Sequence, residues 1–301
     1  MFTKQIDRVA IVGSTHGNEL LGIYLVKKYQ LDPELVKRTT FETITFLANP
    51  RAFKLGTRYV DKDLNRCFHK EDLANSKLNS YEDLRAKEIN NFYSDNLDFL
   101  IDIHSTTSNA GIMIILEKGF EKDPLILNLS AYLVQVNPLV RLFCWSKTQL
   151  KNRLRSVARK SIAIEIGAIA HGTLNAEYFQ QTEQLIQNIL DFLNCYNQKL
   201  AIPIISDIEV FEGQQLRDYP RDRHGELTAM IHPELEDYKA LNFGDPIFMT
   251  FEGQTIAYQN TSTFYPVFIG EASYQKKKIA FVLCSKQIIQ TRVDYFADDR
   301  L

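Results

Sequence analysis

The sequence predicts an α/β fold, in which a mixed sheet carries helices on both faces, followed by a smaller β-rich C-terminal domain. Two observations support this fold class. Over the first 200 residues, short apolar runs alternate with segments of helical spacing, an order typical of a largely parallel or mixed sheet. After Leu200, short strand-like pieces are punctuated by glycine and proline. We therefore predict two domains, residues 1–200 and 201–301, with a soft boundary near Leu200.

The first elements follow from the pattern of apolar residues. Val9–Gly13 is a short apolar run that predicts a buried strand. The segment from about Asn18–Tyr29 predicts the first helix, which Leu31-Asp32-Pro33 ends. Phe41–Leu47 predicts the second strand, and Asn49-Pro50 favours the turn that follows it.

The rest of the chain continues with the same two kinds of segment. Further apolar runs predict strands at Leu97–Ile103, Gly111–Leu116, Leu139–Trp145 and Ser161–Ile166. Helical spacing predicts helices at Tyr81–Ser94, Leu125–Val136 and Asn175–Asn194. The charged and polar segment His69–Ser80 predicts a surface loop. In the second domain, strand-like pieces occur at Ile202–Phe211, Leu227–Ile231, Pro246–Thr250, Thr255–Tyr258, Tyr265–Ile269 and Ile279–Cys284.

Size, charge and cysteine content limit the function classes. The chain has 301 residues, 45% of them hydrophobic and 24% charged, which is ordinary for a soluble globular protein. Because 35 basic residues stand against 37 acidic ones, charge favours neither nucleic acid nor an anionic membrane as a partner. No apolar run reaches the ~18–20 residues of a membrane span, and the start lacks a signal-peptide shape. The four cysteines are scattered, so we expect reduced thiols in a cytoplasmic protein.

The turn Gly13–Glu19, between the first strand and the first helix, carries the candidate chemistry. His16 and Glu19 stand where the strand ends and the helix begins, and open α/β sheets bind ligands at that edge. A histidine and a carboxylate three residues apart can converge on one metal ion. Two histidines and one glutamate with an open fourth position form a catalytic zinc pattern, so the turn predicts one more ligand elsewhere.

His104 is the candidate third ligand, because it follows the predicted strand Leu97–Ile103 directly. If the sheet is parallel here, the carboxyl ends of its strands share one edge, and His104 lies near His16 and Glu19. Each histidine alone is better explained as an ordinary polar group, but their joint placement favours a metal. Asp102 could hydrogen-bond to a metal ligand and orient it. A buried aspartate that caps the loop is nearly as good an explanation of this residue.

Glu165 is the candidate general base. It stands near the end of the apolar strand Ser161–Ile166, where burial should raise its pKa toward neutrality. That pKa suits a group that takes a proton from water and passes it to a leaving amine. An ion pair with one of the arginines explains Glu165 equally well.

Polar residues elsewhere are candidate substrate contacts. Arg58 and the segment Asp63–Arg66 form a dense polar loop, and arginines beside an asparagine suit a bidentate grip on a carboxylate. A solvated loop fits the same composition. Arg155 belongs to a basic run, which by itself is more typical of a solvated face. Tyr265 could donate its hydroxyl to a substrate, although packing in the core is its default explanation.

Seven segments, taken in order, resemble the aspartoacylase family, which comprises acyl-amino-acid amidohydrolases related to zinc carboxypeptidases and succinylglutamate desuccinylases. The segments extend from residue 9 to about 280 and so cover nearly the whole chain. They are Gly13–Glu19, Asn49-Pro50-Arg51-Ala52, Arg58–Arg66, Asp102–Thr107, Arg155-Ser156, Ile164–Gly167 and Tyr265–Phe268. Each segment is weak alone, and their number and order carry the resemblance.

The resemblance implies a carboxypeptidase-like catalytic domain and a β-rich C-terminal domain that caps and narrows the active-site channel. It implies one zinc ion (Zn2+) per chain, with His16, Glu19 and His104 as its ligands. The implied roles of the remaining residues are Glu165 as general base, Arg58 as the group that polarises the scissile carbonyl, Asp63 as a support of its loop, and Asn65, Arg66, Arg155 and Tyr265 as substrate-binding residues.

In one position the chain departs from the resemblance. The resemblance to animal members of the family implies a tyrosine four residues before Arg155, and this chain has Lys151 there. The departure affects how the substrate carboxylates are bound. It therefore weakens the choice of substrate more than the choice of reaction.

We therefore expect a zinc-dependent hydrolase of an N-acyl amino acid, first of all N-acetyl-L-aspartate, which it cleaves to acetate and L-aspartate. One alternative keeps the chemistry and changes the substrate to N-acetylated aromatic amino acids or succinylglutamate. Another is a non-catalytic binding protein on the same fold. The expected partner is a small molecule, and because related enzymes are often dimers, the resemblance allows a homodimer.

Overall fold

The computed structural model describes residues 4–147, 153–200, 202–204 and 207–291. The strands are β1 (Arg8–Gly13), β2 (Glu42–Leu47), β3 (Phe99–Ser105), β4 (Gly111–Leu116), β5 (Val140–Trp145), β6 (Lys160–Gly167), β7 (Ile208–Arg217), β8 (Ala229–Ile231), β9 (Pro246–Thr250), β10 (Thr255–Ala257), β11 (Tyr265–Val267) and β12 (Phe281–Ile289). The α-helices are α1 (Leu20–Leu31), α2 (Pro50–Leu55), α3 (Lys70–Ala74), α4 (Tyr81–Tyr93), α5 (Pro124–Val136) and α6 (Ala176–Asn197). Within the described residues, no helix combines the length and apolar character needed to cross a bilayer.

Nine strands form one mixed sheet, in the order β11-β12-β7-β5-β4-β6-β3-β1-β2. Strand β1 pairs in parallel with β2 and β3, and β3 pairs in parallel with β6. Strand β4 is antiparallel to β6, which makes the sheet mixed. The other three strands form a separate sheet in the order β10-β9-β8. The predicted α/β class with a β-rich C-terminal part is therefore confirmed.

Helices cover both faces of the sheet, as predicted. Because successive side chains of a strand point to opposite faces, β1 supplies two cores. Val9 and Ile11 pack in a core with residues of α1, α5 and α6. Ala10 and Val12 pack on the opposite face, where residues of α4 also lie. Burial on both sides explains why this strand is a continuous apolar run rather than an alternating one.

The large sheet continues past the position near Leu200 where the sequence predicts a domain boundary. Strand β5 pairs in parallel with β7, with Leu142 opposite Val210. Two further C-terminal strands, β12 and β11, extend the sheet beyond β7. This pairing covers the backbone groups that β5 would otherwise expose as an edge strand.

Four predicted elements differ from the structure. The turn predicted at Asn49-Pro50 is the start of helix α2, with the Asn49 side chain capping it by accepting from the backbone N–H of Ala52. Strand β7 runs later than the predicted Ile202–Phe211, and β12 runs past the predicted end at Cys284. The two strands pair from Ile208 to Arg217, so backbone pairing carries them through polar residues that the apolar pattern leaves out. The predicted loop His69–Ser80 contains the short surface helix α3, whose first turn holds two acidic residues that favour a helix N-terminus.

Close contact between β1 and α1 depends on Gly13. A Cβ atom at this position would lie 2.3 Å from the carbonyl oxygen of Gly22 in α1. Because that neighbour is backbone, it cannot rotate away. We expect Gly13→Ala to lower the free energy of unfolding by about 1–3 kcal/mol or more, the usual cost of overpacking. Urea denaturation measures this change, and a midpoint equal to that of the wild-type protein would contradict the backbone contact.

Candidate metal centre and active site

Two potential metal ligands lie on the turn between β1 and α1. His16 and Glu19 are both buried, with 4% and 3% of their surfaces exposed. The backbone N–H of Gly17 donates to the carbonyl of Arg58 at 3.0 Å and ties this turn to the loop after α2. The third potential ligand, His104, lies near the carboxyl end of β3, the strand next to β1 in the sheet. Three separate stretches of chain thus meet at one sheet edge.

The side chains of His16, Glu19 and His104 form one buried group. Glu19 Oε1 lies 2.6 Å from His16 Nδ1, and Glu19 Oε2 lies 2.9 Å from His104 Nδ1. One ligand atom from each residue can be chosen so that all three lie within 4.8 Å of one another. Two imidazole nitrogens and one carboxylate in this arrangement could hold a metal ion.

Each histidine also faces a second carboxylate through its other ring nitrogen. His16 Nε2 lies 3.1 Å from Asp63 Oδ1, and His104 Nε2 lies 2.9 Å from Asp102 Oδ2. Thr15 Oγ1 donates to the other oxygen of Asp102 at 2.7 Å and fixes that carboxylate. For His104, the charge of Asp102 beside Nε2 favours the proton on that nitrogen and leaves the Nδ1 lone pair pointing at the centre. His16 Nε2 faces both the Asp63 carboxylate and the Arg58 guanidinium.

The electrostatics of the group favour a cation. Burial by itself would raise the pKa of Glu19, but the charges of His16 and His104 outweigh it and hold the pKa well below its usual range. Burial would lower the pKa of His104, yet Asp102 and Glu19 raise it well above its ordinary value. The centre therefore draws positive charge inward, and this donor chemistry fits a divalent ion.

Glu165 lies beside His104 on the same sheet edge. The two residues are directly opposite each other in the parallel β3–β6 pairing. Burial, with repulsion from Glu19 and Glu271, raises the pKa of Glu165 to about 8, against the attraction of His104. The sequence predicts such a rise from burial, although not the two neighbouring carboxylates. A carboxyl with a raised pKa can accept and release a proton near neutral pH.

A cavity of about 290 Å3 lies in front of these side chains. Polar and charged residues that line it include His16, Glu19, Arg58, Asn65, Arg66, His104, Arg153, Arg155, Glu165, Glu271, Tyr274 and Lys277. The metal-ligating candidates and Glu165 are thus brought to one cavity with five basic side chains.

Arg58 lies directly against the candidate ligands. Its Nη1 donates to Glu19 Oε1 at 2.9 Å, and its Nη2 lies 2.9 Å from His16 Nε2. A guanidinium in this position can donate to an anionic oxygen that forms next to the centre.

The loop after Arg58 and the segment around Arg155 are joined by Asn65. Asn65 Oδ1 accepts from the backbone N–H of Leu154 at 3.0 Å, and Arg66 Nη1 donates to the carbonyl of Asn65 at 2.6 Å. Arg155 is 2% exposed, and its guanidinium donates to the Ile115 carbonyl at 3.1 Å. These contacts fix the arginine-rich wall of the cavity.

Comparison with known proteins places this chain in a family. The model of the succinylglutamate desuccinylase/aspartoacylase catalytic domain matches residues 5–193, and the model of the AstE/AspA barrel-sandwich hybrid domain matches residues 206–286. The chain belongs to the succinylglutamate desuccinylase/aspartoacylase family. The family resemblance expected from the seven sequence segments is confirmed.

The similarity extends over almost the whole length of other members of the succinylglutamate desuccinylase/aspartoacylase family. A probable aspartoacylase of a Nostoc species is 48% identical over 95% of this chain and 98% of its own length. An aspartoacylase of Danio rerio is 38% identical over 95% of this chain and 94% of its own. The crystal structure of murine aminoacylase 3 has a TM-score of 0.89 and 33% identity, covering 96% of this chain and 98% of that one.

One site residue suggested by the family resemblance is not on the cavity wall. Tyr265 lies on β11 near the edge of the sheet, where its ring meets Phe211 with centroids 5.7 Å apart and Lys286 Nζ lies 4.8 Å above it. The structure therefore corrects the expectation that Tyr265 contacts the substrate, and supports its default explanation of packing. Tyr274 lines the cavity instead. Burial, with Glu165 and Glu271, raises the pKa of the Tyr274 hydroxyl, which keeps it a neutral donor.

Glu271 is a second residue that the sequence analysis missed. Its carboxylate accepts from the backbone N–H of Thr107 and from that of Ser273, both at 2.8 Å, and from the hydroxyl of Thr106. It thereby ties the C-terminal 3₁₀ turn to the loop that follows His104. Neither Glu271 nor Tyr274 stands at a predicted strand end or in a periodic pattern, so the sequence carries no clear signal for either residue. Lys151, the departure noted above, lies outside the described residues.

Proposed function

We propose that this family member is a zinc-dependent amidohydrolase of N-acyl amino acids, with N-acetyl-L-aspartate as its first substrate and acetate and L-aspartate as products. The observation that carries the proposal is the position of Glu165. It stands opposite His104 in the sheet, beside a buried group of two histidines and a glutamate, and faces a cavity with an arginine-rich wall.

The metal would be held by His16, Glu19 and His104, with Asp63 and Asp102 fixing the two rings from behind. A zinc ion bound there supplies Lewis-acid polarisation of the amide carbonyl and makes water more acidic. One ion per chain is proposed, because the described residues contain one such group.

The remaining chemistry belongs to the side chains. Glu165 accepts a proton from the attacking water and returns it to the nitrogen of the amide, so that the C–N bond breaks and a free amine leaves. Arg58 donates to the carbonyl oxygen as negative charge develops on it, which lowers the barrier. Asn65, Arg66 and Arg155 hold the carboxylates of the amino acid, with Tyr274 as a neutral donor at the wall.

An aromatic acyl amino acid is the second candidate substrate. Trp145 and Phe268 also line the cavity and offer apolar surface to a ring. The five basic side chains argue for acidic substrates, since an aromatic side chain would leave their charge uncompensated.

A panel of substrates tests the proposal. We expect the zinc-loaded protein to hydrolyse N-acetyl-L-aspartate faster than N-acetyl-L-phenylalanine and N-succinyl-L-glutamate, as measured by release of the free amine. A chelator should abolish hydrolysis, and added zinc should restore it. Fastest release from N-acetyl-L-phenylalanine would change the substrate, and no release from any compound, with or without zinc, would favour a binding protein. A cytoplasmic location, consistent with four free cysteines, and a homodimer remain part of the proposal.

A further inference from the structure

Glu82, in the first turn of α4, is a buried carboxylate without a role in the function proposed above. None of its surface is exposed. Its Oε1 accepts from the side-chain amide of Asn49 at 3.0 Å and from the backbone N–H of Val60 at 2.7 Å. Its Oε2 accepts from the backbone N–H groups of Asp61 at 2.9 Å and Lys62 at 3.2 Å. One carboxylate therefore receives three consecutive backbone N–H groups from another part of the chain.

The segment that Glu82 holds, residues 60–62, belongs to no helix or strand. Backbone N–H groups outside regular structure need an acceptor from elsewhere, and a carboxylate supplies charge-assisted hydrogen bonds, which are stronger than neutral ones. Glu82 is itself fixed, because Ala86 and Ile89 of the same helix pack in the core on one face of the sheet. The position of residues 60–62 is thus set by a rigid element rather than by the loop alone.

Asn49 links Glu82 to the turn that carries two of the candidate metal ligands. The backbone N–H of Asn49 donates to the carbonyl of Ser14 at 2.8 Å, and the hydroxyl of Ser14 donates to the carbonyl of Asn49 at 3.0 Å. Ser14 stands two residues before His16. Glu82 therefore fixes residues 60–62 relative to the candidate metal centre.

Two side chains of the loop that contact the centre lie on either side of residues 60–62. Arg58 precedes this segment by two residues, and Asp63 follows it directly. Arg58 Nη2 lies 2.9 Å from His16 Nε2, and Asp63 Oδ1 lies 3.1 Å from the same nitrogen. A shift of residues 60–62 would move both groups relative to the cavity.

We propose that Glu82 is a positioning residue for hydrolysis, which holds the loop so that the Arg58 guanidinium meets the carbonyl oxygen as negative charge develops there. The inference rests on the function proposed above, which gives Arg58 that part. Glu82 is not among the described residues that line the cavity, so it acts through Arg58 rather than on the substrate. Because the contact of Arg58 strengthens in the transition state, its misplacement lowers kcat more than it changes KM.

A double-mutant cycle with Arg58 tests the inference. In Glu82→Gln, an amide NH2 replaces one acceptor oxygen, so at least one backbone N–H of residues 60–62 loses its acceptor. We expect kcat for N-acetyl-L-aspartate to fall by about 10- to 100-fold, the effect of a displacement of up to about 1 Å, while KM changes by less than about threefold. In an Arg58→Ala background, Glu82→Gln should lower kcat by no more than about twofold further. Losses that multiply in the double variant would show a general structural role and overturn the inference.

Asp83→Asn is the matched control at the same helix end. Asp83 is buried, pairs with the side chain of Lys62 and accepts from the Ser80 hydroxyl at 2.6 Å. This variant should lower Tm while kcat stays within about twofold of the wild-type value. A loss of kcat equal to that of Glu82→Gln would attribute the effect to the start of α4 and overturn the inference. If Glu82→Gln does not fold, Glu82→Asp replaces it in the cycle, since it keeps the charge and shortens the reach by one methylene.

Amide hydrogen exchange gives a readout without turnover. The three backbone N–H groups of residues 60–62 should exchange about tenfold faster in Glu82→Gln than in Asp83→Asn. Equal exchange in the two variants overturns the inference. If the wild-type protein hydrolyses no acyl amino acid, the proposed function fails. In that case, faster exchange confined to Glu82→Gln still supports Glu82 as the residue that positions the loop.

Discussion

Replacement of Glu165 by glutamine is expected to reduce turnover of N-acyl amino acids by about 10²–10⁴-fold, the usual contribution of a general base. Glutamine has nearly the same shape as glutamate but cannot accept the proton of the attacking water. Glu165 lines the cavity and stands opposite His104 in the sheet, and burial raises its pKa to about 8. Amine release under saturating substrate measures the loss in kcat.

The specificity of that result depends on two controls. Bound zinc, measured by elemental analysis, should remain at one per chain in Glu165→Gln, because Glu165 is not among the three candidate ligands. Glu177→Gln, at an exposed glutamate in the first turn of α6, should retain wild-type turnover. Wild-type-like activity in Glu165→Gln would remove this residue from the reaction. Loss of zinc in the same variant would instead assign it to the metal centre.

Replacement of His104, the third candidate metal ligand, is expected to reduce activity as strongly, through loss of the metal rather than of the base. His104→Ala leaves one histidine and one carboxylate at the centre, so we expect less than a tenth of the wild-type zinc content and no measurable hydrolysis. A bound ion stabilises the fold it binds, by about 2.7 kcal/mol at a hundredfold excess over Kd. A chelator should therefore lower the Tm of the wild-type protein and leave that of His104→Ala unchanged.

Asp102→Asn should give an intermediate result in the same zinc measurement. The Asp102 carboxylate lies 2.9 Å from His104 Nε2 and is fully buried. Loss of its charge should weaken zinc binding by about 10- to 100-fold without removing a ligand.

For His104→Ala, a full complement of tightly bound zinc would show that the ion binds elsewhere.

The candidate metal-binding group could be found from the sequence because its residues lie at strand ends, and strand ends can be recognised in a sequence. Val9–Gly13 and Leu97–Ile103 are apolar runs followed at once by polar residues, and parallel pairing brings such ends to one edge. The two segments lie far apart in the sequence, but parallel pairing of β1 with β3 places His104 at the same sheet edge as His16. The raised pKa of Glu165 likewise follows from its place on an apolar strand.

The part of the cavity lined by Glu271 and Tyr274 could not be predicted in the same way. Tyr274 and Glu271 lie in and next to a 3₁₀ turn, where neither period-2 nor helical spacing tells which side chain faces inward. Tyr265 stands in a strand, and its ring packs against Phe211. The ends of β7 and β12 are set by pairing between two distant segments, which a local pattern does not contain. Side-chain direction in such segments depends on the assembled fold.

The pairing of β5 with β7 also has a meaning for the evolution of this chain. The catalytic part and the C-terminal part share one ladder of backbone hydrogen bonds, and Glu271 fastens the second part to the loop after His104. A recombination event that exchanged the C-terminal part alone would have to reproduce both the strand register and this anchor. Replacement of a cavity-lining side chain such as Arg66, which lies outside both strands and the anchor, leaves the shared ladder in place.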